Sequence, residues 1–343
     1  MLATGQQRQG KHKTYALHFE GTILMPEALC IGELLIDFVS TTPDVTLAEA
    51  PGFVKAPGGA PANVAVGLAK LGVDAGLIGK VGADAFGDFL RETLQQNSVD
   101  TAHLIAGETS RTTLAFVATR SDGLKDITFY RHPGADIQLS SDEIDTGYVQ
   151  SAKLFHYGSV SLSHSPSREA TLHAIRSAKA GGARLSYDPN LRLMLWDNAK
   201  DAKRWIWEVM PYADVVKISD EEWEFVTGDA DLERGIKRIL RLGVKLLVVT
   251  LGERGCYYTN GFADGFVDGF TVNVVDTLGA GDAFVAAMLT QLRQYMDLTA
   301  LEKDQLDPIM RYANTAGALA TEKVGVIPSL PTHSEIENFL SFL

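Results

Sequence analysis

Two periodicities divide the chain. Through residues 35–55 and 111–130, apolar and polar positions alternate without helical spacing, so both stretches predict half-buried strands. The second carries RTTLAFVATR and DITFYR on either side of Asp122-Gly123, which predicts a hairpin. From residue 140 onward, short apolar runs alternate with amphipathic segments. Strands are predicted over 153–158, 184–190, 214–218 and 244–251, and helices over 167–180, 199–210 and 219–226. That alternation is the mark of a parallel sheet covered by helices. Nearer the start, 28–39 reads as one buried strand with Gly32-Glu33 inside it. A helix opened by Pro57-Gly58-Gly59 runs to about residue 71, with Gly72 as its C-terminal stop, and a second strand with its exit turn fills 72–82.

Some polar positions do not fit the apolar pattern. Asp37 is a charge near the end of an apolar run. It is either an edge carboxylate or a ligand for neighbouring hydroxyls, since one carboxylate accepts two hydrogen bonds. In open α/β sheets functional residues gather at the carboxyl ends of strands. Asp37, Asp188, Ser219 and Gly252 fall at such ends on this reading. Asn63 sits one turn into its helix, facing either a ligand or solvent.

Farther on, a Val pair leads into Asp276-Thr277-Leu278-Gly279-Ala280-Gly281-Asp282, and an amphipathic helix follows over 283–295. Small residues ahead of a helix leave its first N–H groups open, and the helix dipole adds positive potential. This is a phosphate site in waiting. A carboxylate there is at odds with bound phosphate unless Asp282 is a general base that takes a proton from a hydroxyl. The plainer alternative makes Asp276 or Asp282 an N-cap. Ser219 with Glu222 forms a capping box that needs no function to explain it.

Composition narrows the partners. The chain has 343 residues, 45% hydrophobic and 22% charged, with a net charge of -12. A pI near 5.1 argues against nucleic acid and anionic membranes as partners. No apolar run approaches the ~20 residues of a membrane span. Cys30 and Cys256 make neither a disulfide framework nor a metal spacing, which points to a reducing, cytoplasmic setting. Residues 1–26 lack periodicity and read as a disordered leader or an added extension, with a transit peptide as the second reading.

Asp276-Thr277-x-Gly279-Ala280-Gly281-Asp282 resembles the C-terminal signature of the ribokinase-like (PfkB) carbohydrate kinases. Gly58-Gly59-x-x-x-Asn63-x-Ala65, with Gly72 and Gly82, resembles their N-terminal signature. The likeness spans roughly 27–343. It implies a three-layer α/β fold: a mostly parallel central sheet with helices on both faces, and a small β-sheet lid from about 35–57 and 111–131. It also implies ATP and Mg2+. Asp282 would be the base, and Gly279, Ala280 and Gly281 the anion hole. Asp37, Gly58, Gly59, Asn63 and Arg131 would hold the sugar. Lys217, Thr250, Gly252, Gly255, Asn314 and Gly317 would border the nucleotide. Glu222 and, indirectly, Asp188 would serve magnesium, with Ser219 standing where the family carries asparagine. Asp276 and Gly325 mark where the family can hold a monovalent cation such as K+.

Three stretches are similar to the fructokinase subgroup: Gly32-Glu33-Leu34-Leu35-Ile36-Asp37-Phe38, Ser110-Arg111-Thr112-Thr113, and Phe129-Tyr130-Arg131-x-Pro133-Gly134-Ala135-Asp136. The expected reaction is therefore phosphorylation of fructose to fructose 6-phosphate, in a chain that can dimerise through its lids. The nearest rival is a 2-keto-3-deoxygluconate kinase, whose acid sugar Asp37 would repel and Arg131 attract; other sugar or nucleoside kinases follow. A catalytically inactive binding homologue would not need Asp282. A dinucleotide oxidoreductase would need Gly-x-Gly-x-x-Gly after the first strand, where Gly32-Glu33-Leu34 stands instead.

Overall fold

The computed structural model describes residues 25–119, 125–131 and 133–342. The leader up to residue 24 and the Asp122-Gly123 turn lie outside them. The chain opens with β1 (Ala28–Ile31), β2 (Leu35–Ser40), β3 (Phe53–Gly58), α1 (Ala60–Lys70), β4 (Ala75–Gly82) and α2 (Ala85–Gln96). Short strands β5 (Val99–Asp100) and β6 (Leu104–Gly107) precede the hairpin β7 (Leu114–Thr119) and β8 (Lys125–Tyr130). There follow α3 (Thr146–Ser151), β9 (Leu154–Tyr157), α4 (Ser167–Ala180), β10 (Arg184–Tyr187), α5 (Ala199–Val209), β11 (Val215–Ser219), α6 (Asp220–Thr227), α7 (Leu232–Leu240) and β12 (Leu246–Thr250). The last part holds β13 (Cys256–Thr259), β14 (Asp264–Val267), α8 (Ala280–Leu292), α9 (Lys303–Ala320), α10 (Val326–Ser329) and α11 (His333–Ser341).

Two sheets result. The central one runs β14-β13-β12-β11-β10-β9-β1-β4-β5, with β6 also on β4. It is parallel except for β13 and β14 at one edge. A small four-stranded sheet runs β3-β2-β7-β8.

The layers follow from strand alternation. In β1, Ala28 and Cys30 pack with α1 and α8 residues such as Val64 and Ala286, while Leu29 and Ile31 pack with α4 residues such as Ala174 and Ile175. In β12, Leu246 and Val248 go one way, Leu247 and Val249 the other. Both faces of every such strand are dry, which is why these strands read as continuous apolar runs. The mostly parallel sheet with helices on both faces and a small separate sheet is the expected three-layer fold.

The apolar run at 28–39 is broken. It divides into β1 of the central sheet and β2 of the small sheet, because Gly32, at φ 152°, turns the chain out between them. Asp37 therefore lies inside a small-sheet strand, in register with Ala56 and Ala115, and not at the end of a central strand. Four-residue stretches cannot separate one long strand from two short ones by hydrophobicity alone. The stretch 312–322, an apolar helix rich in small residues on its sequence, is the tail of the longer helix α9, which starts ahead of it under a Glu302–Gln305 capping box and ends at Ala320. Helix α4 occupies the predicted span.

Candidate active site

The carboxyl ends of β10, β11 and β12 and the N-termini of α1 and α8 surround a cleft of about 850 Å3, roofed by the small sheet. Strand β12 lies four places from β1, roughly 19 Å at the usual interstrand spacing. The cleft is thus long enough for two substrates laid end to end. Among its lining residues are Asp37, Gly59, Asn63, Asp188, Lys217, Thr250, Gly252, Gly255, Asn314 and Gly317, together with Gly279, Ala280, Gly281 and Asp282.

Helix α8 opens without a side-chain cap. Its N-cap is Gly279, at φ 85°, a left-handed conformation that favours glycine. A Cβ there would meet Val326 Cγ1 at 2.3 Å. Neither aspartate caps the helix; the Ala280 N–H donates to the Thr277 carbonyl at 3.4 Å, and the Gly281 and Asp282 amides stay uncapped beside the cleft. Asp276 Oδ1 instead accepts from the Leu278 N–H at 3.0 Å and Oδ2 from the Gly325 N–H at 3.3 Å. A Cβ on Gly281 would stand 3.3 Å from Lys217 Nζ, so this helix start and that ammonium face one point.

Asp282 is buried, and its Oδ2 accepts a 2.8 Å hydrogen bond from Asn63 Nδ2 on α1. Burial, helped by the negative charge of Asp188, pushes its carboxyl up to about 6, while the Asn63 bond, Lys217 and Arg192 pull the other way. Asn63 Oδ1 is buried with no partner. Lys217 Nζ pairs with Asp188 Oδ2 at 3.0 Å. Burial opposes its charge, but Asp188, Glu222 and Asp282 together outweigh that and hold its pKa above the ordinary value.

The other expected residues divide. A Cβ on Gly58 would fall 2.1 Å from Asp37 Oδ2, so glycine there leaves room for that carboxylate. Asn314 Nδ2 donates to the Val267 and Asp268 carbonyls at 3.0 and 3.1 Å, fixing the chain that leaves β14 beside the cleft. Glu222 is doubly engaged: Oε1 accepts from the Leu191 N–H and Oε2 from Ser219 Oγ at 2.8 Å, the expected capping box. Arg131 does not line this cleft. It is buried against Asp136 Oδ2, 2.6 Å from Nη2, and donates to Ser163 Oγ at 3.1 Å, and it borders a neighbouring cavity. Among the described residues no group of three or more His, Cys, Asp or Glu gathers to hold a metal ion.

Sequence reading passed over Arg192 and Glu33. Arg192 lines the cleft, and its charge acts on Asp282. Its signal was its place just after Asp188-Pro189-Asn190, where Asn190 turns the chain at φ 42°. Glu33 is buried at the cleft wall.

Comparison with known proteins identifies the family. The family model for pfkB family carbohydrate kinases matches residues 25–333. Probable fructokinase-4 of Arabidopsis thaliana is 49% identical over 313 residues, 90% of this chain and 95% of that protein. The structure of a fructokinase with bound ATP from Xylella fastidiosa superposes with a TM-score of 0.84 at 34% identity, covering 92% of this chain and 99% of that one. A double-mutant fructokinase from Vibrio cholerae O395, in its fructose-, ADP- and potassium-bound form, gives 0.82 at 34% identity, over 92% and 98%. The fold is that of a sugar kinase. The chain belongs to the pfkB family of carbohydrate kinases.

Proposed function

We propose that this kinase transfers the γ-phosphoryl of ATP to fructose, giving fructose 6-phosphate, and that Asp282 is the general base. The observation that carries this reading is the pairing of a buried, raised-pKa carboxylate with an uncapped helix start in one cleft. Phosphoryl transfer asks mainly for positioning and charge stabilisation. Asp282 Oδ1 receives the hydroxyl proton while Asn63 holds Oδ2. Of the turn from Gly279 to Asp282, the uncapped amides of Gly281 and Asp282 face the transferring group with the Lys217 ammonium, while the Ala280 N–H is turned to Thr277. Asp37, over Gly58, and the open Oδ1 of Asn63 accept and orient sugar hydroxyls.

Arg131 enters as a support for the small sheet's base, since Asp136 occupies its guanidinium. That placement favours a neutral sugar over an acid sugar, because the cation expected to attract a carboxylate is already paired. Thr250, Gly252, Gly255, Asn314 and Gly317 border the nucleotide end. Magnesium needs few direct protein oxygens; Asp188 in the cleft and Glu222, whose oxygens are taken by Leu191 and Ser219, would hold it only through water, and it would neutralise charge on the phosphates. Asp276, with the turn at Gly325, is the place for a monovalent cation. Val54 on β3 and Tyr130 on β8 are exposed apolar positions on the small sheet, and a second copy covering them is part of this reading, as is a cytoplasmic setting.

A coupled assay with ATP and fructose, glucose, ribose, ketodeoxygluconate or adenosine tests the proposal. Fructose is expected to give the highest kcat/KM. A clear preference for any other acceptor overturns it.

A further inference from the structure

The small sheet joins the body through four chain crossings, and two of them meet at Glu33. The chain leaves β1 through Gly32 and Glu33 to start β2, and returns from β3 through Gly58 and Gly59 to start α1. These crossings touch. A Cβ on Gly59 would meet Glu33 O at 2.3 Å, and one on Gly32 would meet Pro61 Cγ at 2.6 Å. Glu33 laces them together: its Oε1 accepts the N–H of Ala60 at 3.1 Å. Its Oε2 is buried with no partner.

The other two crossings lie alongside. Asp136 accepts from Thr113 Oγ1 at 2.5 Å and from Arg131 Nε at 2.8 Å, tying the start of β7 to the exit of β8. The joint therefore holds two carboxylates, Glu33 and Asp136, and one guanidinium, which Asp136 has taken.

We propose that Glu33 is a positioning residue for the sugar: by clamping the return crossing at Ala60 against the outgoing one, it sets Asp37 on the small sheet relative to Asn63 and Asp282 on the body. Below neutral pH Glu33 does this as the protonated acid, and above it as the carboxylate. A buried carboxylate oxygen without a donor is costly, and the neutral acid removes that charge. Burial is the main force raising its pKa, to about 7; Asp136 adds to it, and the backbone bonds and Arg131 oppose it. Those are the charged groups that act on it.

The test pairs Glu33→Ala with Glu33→Gln, using whichever sugar the wild type phosphorylates best, so that the choice of sugar and the role of Glu33 fail separately. Loss of one buried hydrogen bond at the joint is expected to raise the sugar KM of Glu33→Ala by roughly 5- to 10-fold. The KM for ATP, bound at the far end of the cleft, is expected to stay within about 2-fold. Glu33→Gln keeps an acceptor for Ala60 in the shape of the neutral acid, and is expected to recover most of the lost sugar affinity. An unchanged sugar KM in Glu33→Ala, or equal rises for sugar and ATP, overturns the positioning role.

Should Glu33→Ala not fold, the thermal midpoints of wild type and Glu33→Gln decide. A folded pKa raised above the unfolded one gives stability that is full below the unfolded value and lost as pH rises through about 7. Wild type should therefore lose ground to Glu33→Gln between pH 5 and 8. A midpoint difference that stays flat across that range rules out the clamp acting as a neutral acid.

Discussion

At the residue scale the proposed chemistry rests on Asp282 as its base. A base must be ionised to accept a proton, and burial holds this carboxyl near 6. The rate should therefore fall as pH drops below about 6, because a rising fraction of Asp282 is already protonated. Asp282→Asn keeps the shape and an oxygen for Asn63, and removes the base. Turnover is expected to fall at least ~100-fold, and the acid limb of the pH profile should vanish with it. A variant that keeps most of its turnover with chemistry rate-limiting would exclude this role. Asp282 was legible as a candidate, because a carboxylate at a helix start built for phosphate is at odds with the anion unless it is an N-cap or a base. Asn63 was legible as a ligand-facing candidate, but its pairing with Asp282 was not: the two are 219 positions apart, and only the packing of α1 on α8 brings them together.

Elements decide which amides face the phosphate. Helix α8 begins at Ala280 because Gly279 adopts a backbone that other residues resist, and no hydroxyl or carboxylate then closes the first turn. Gly281→Val tests whether that turn is an anion hole. Even a Cβ is close to Lys217 Nζ, and the added methyls would push the ammonium aside and fill the approach to the backbone. Losing such donors costs on the order of 100-fold in kcat. The thermal midpoint should move little, since the side chain would grow into the cleft and not the core. Wild-type kinetics in this variant would reduce the turn to a chain reversal. The long amphipathic elements, such as α4, were readable because they satisfy one period over many residues. The division of 28–39 was not, because two short apolar strands in different sheets look like one until Gly32 turns the chain.

Across the whole molecule, the proposed reaction needs two bodies in register. Asp282 lies on α8 over the central sheet and Asp37 on the small sheet, and a sugar held by both would span the cleft between them. The helix-covered parallel sheet was legible from alternation, while the three-layer fold with its small sheet came from the resemblance to carbohydrate kinases. The geometry between the sheets was not legible, because it depends on buried polar contacts such as Arg131–Asp136 that hydrophobic patterning does not encode. Asp37→Ala probes that register and the substrate together. If Asp37 accepts hydrogen bonds from fructose hydroxyls, each charge-assisted bond is worth ~1.5–3 kcal/mol, and the fructose KM should rise by ~10-fold or more. Turnover should fall as well where the reacting hydroxyl drifts from Asp282. An acid sugar would respond the other way. Its carboxylate is repelled by Asp37 in the wild type, so removing that charge should leave its use intact or improve it. Measuring kcat/KM for fructose and ketodeoxygluconate in both proteins separates the cases. Fructose use that survives the substitution unchanged would mean that the small sheet does not hold the sugar through Asp37, and the two-body account of this site would fail with it.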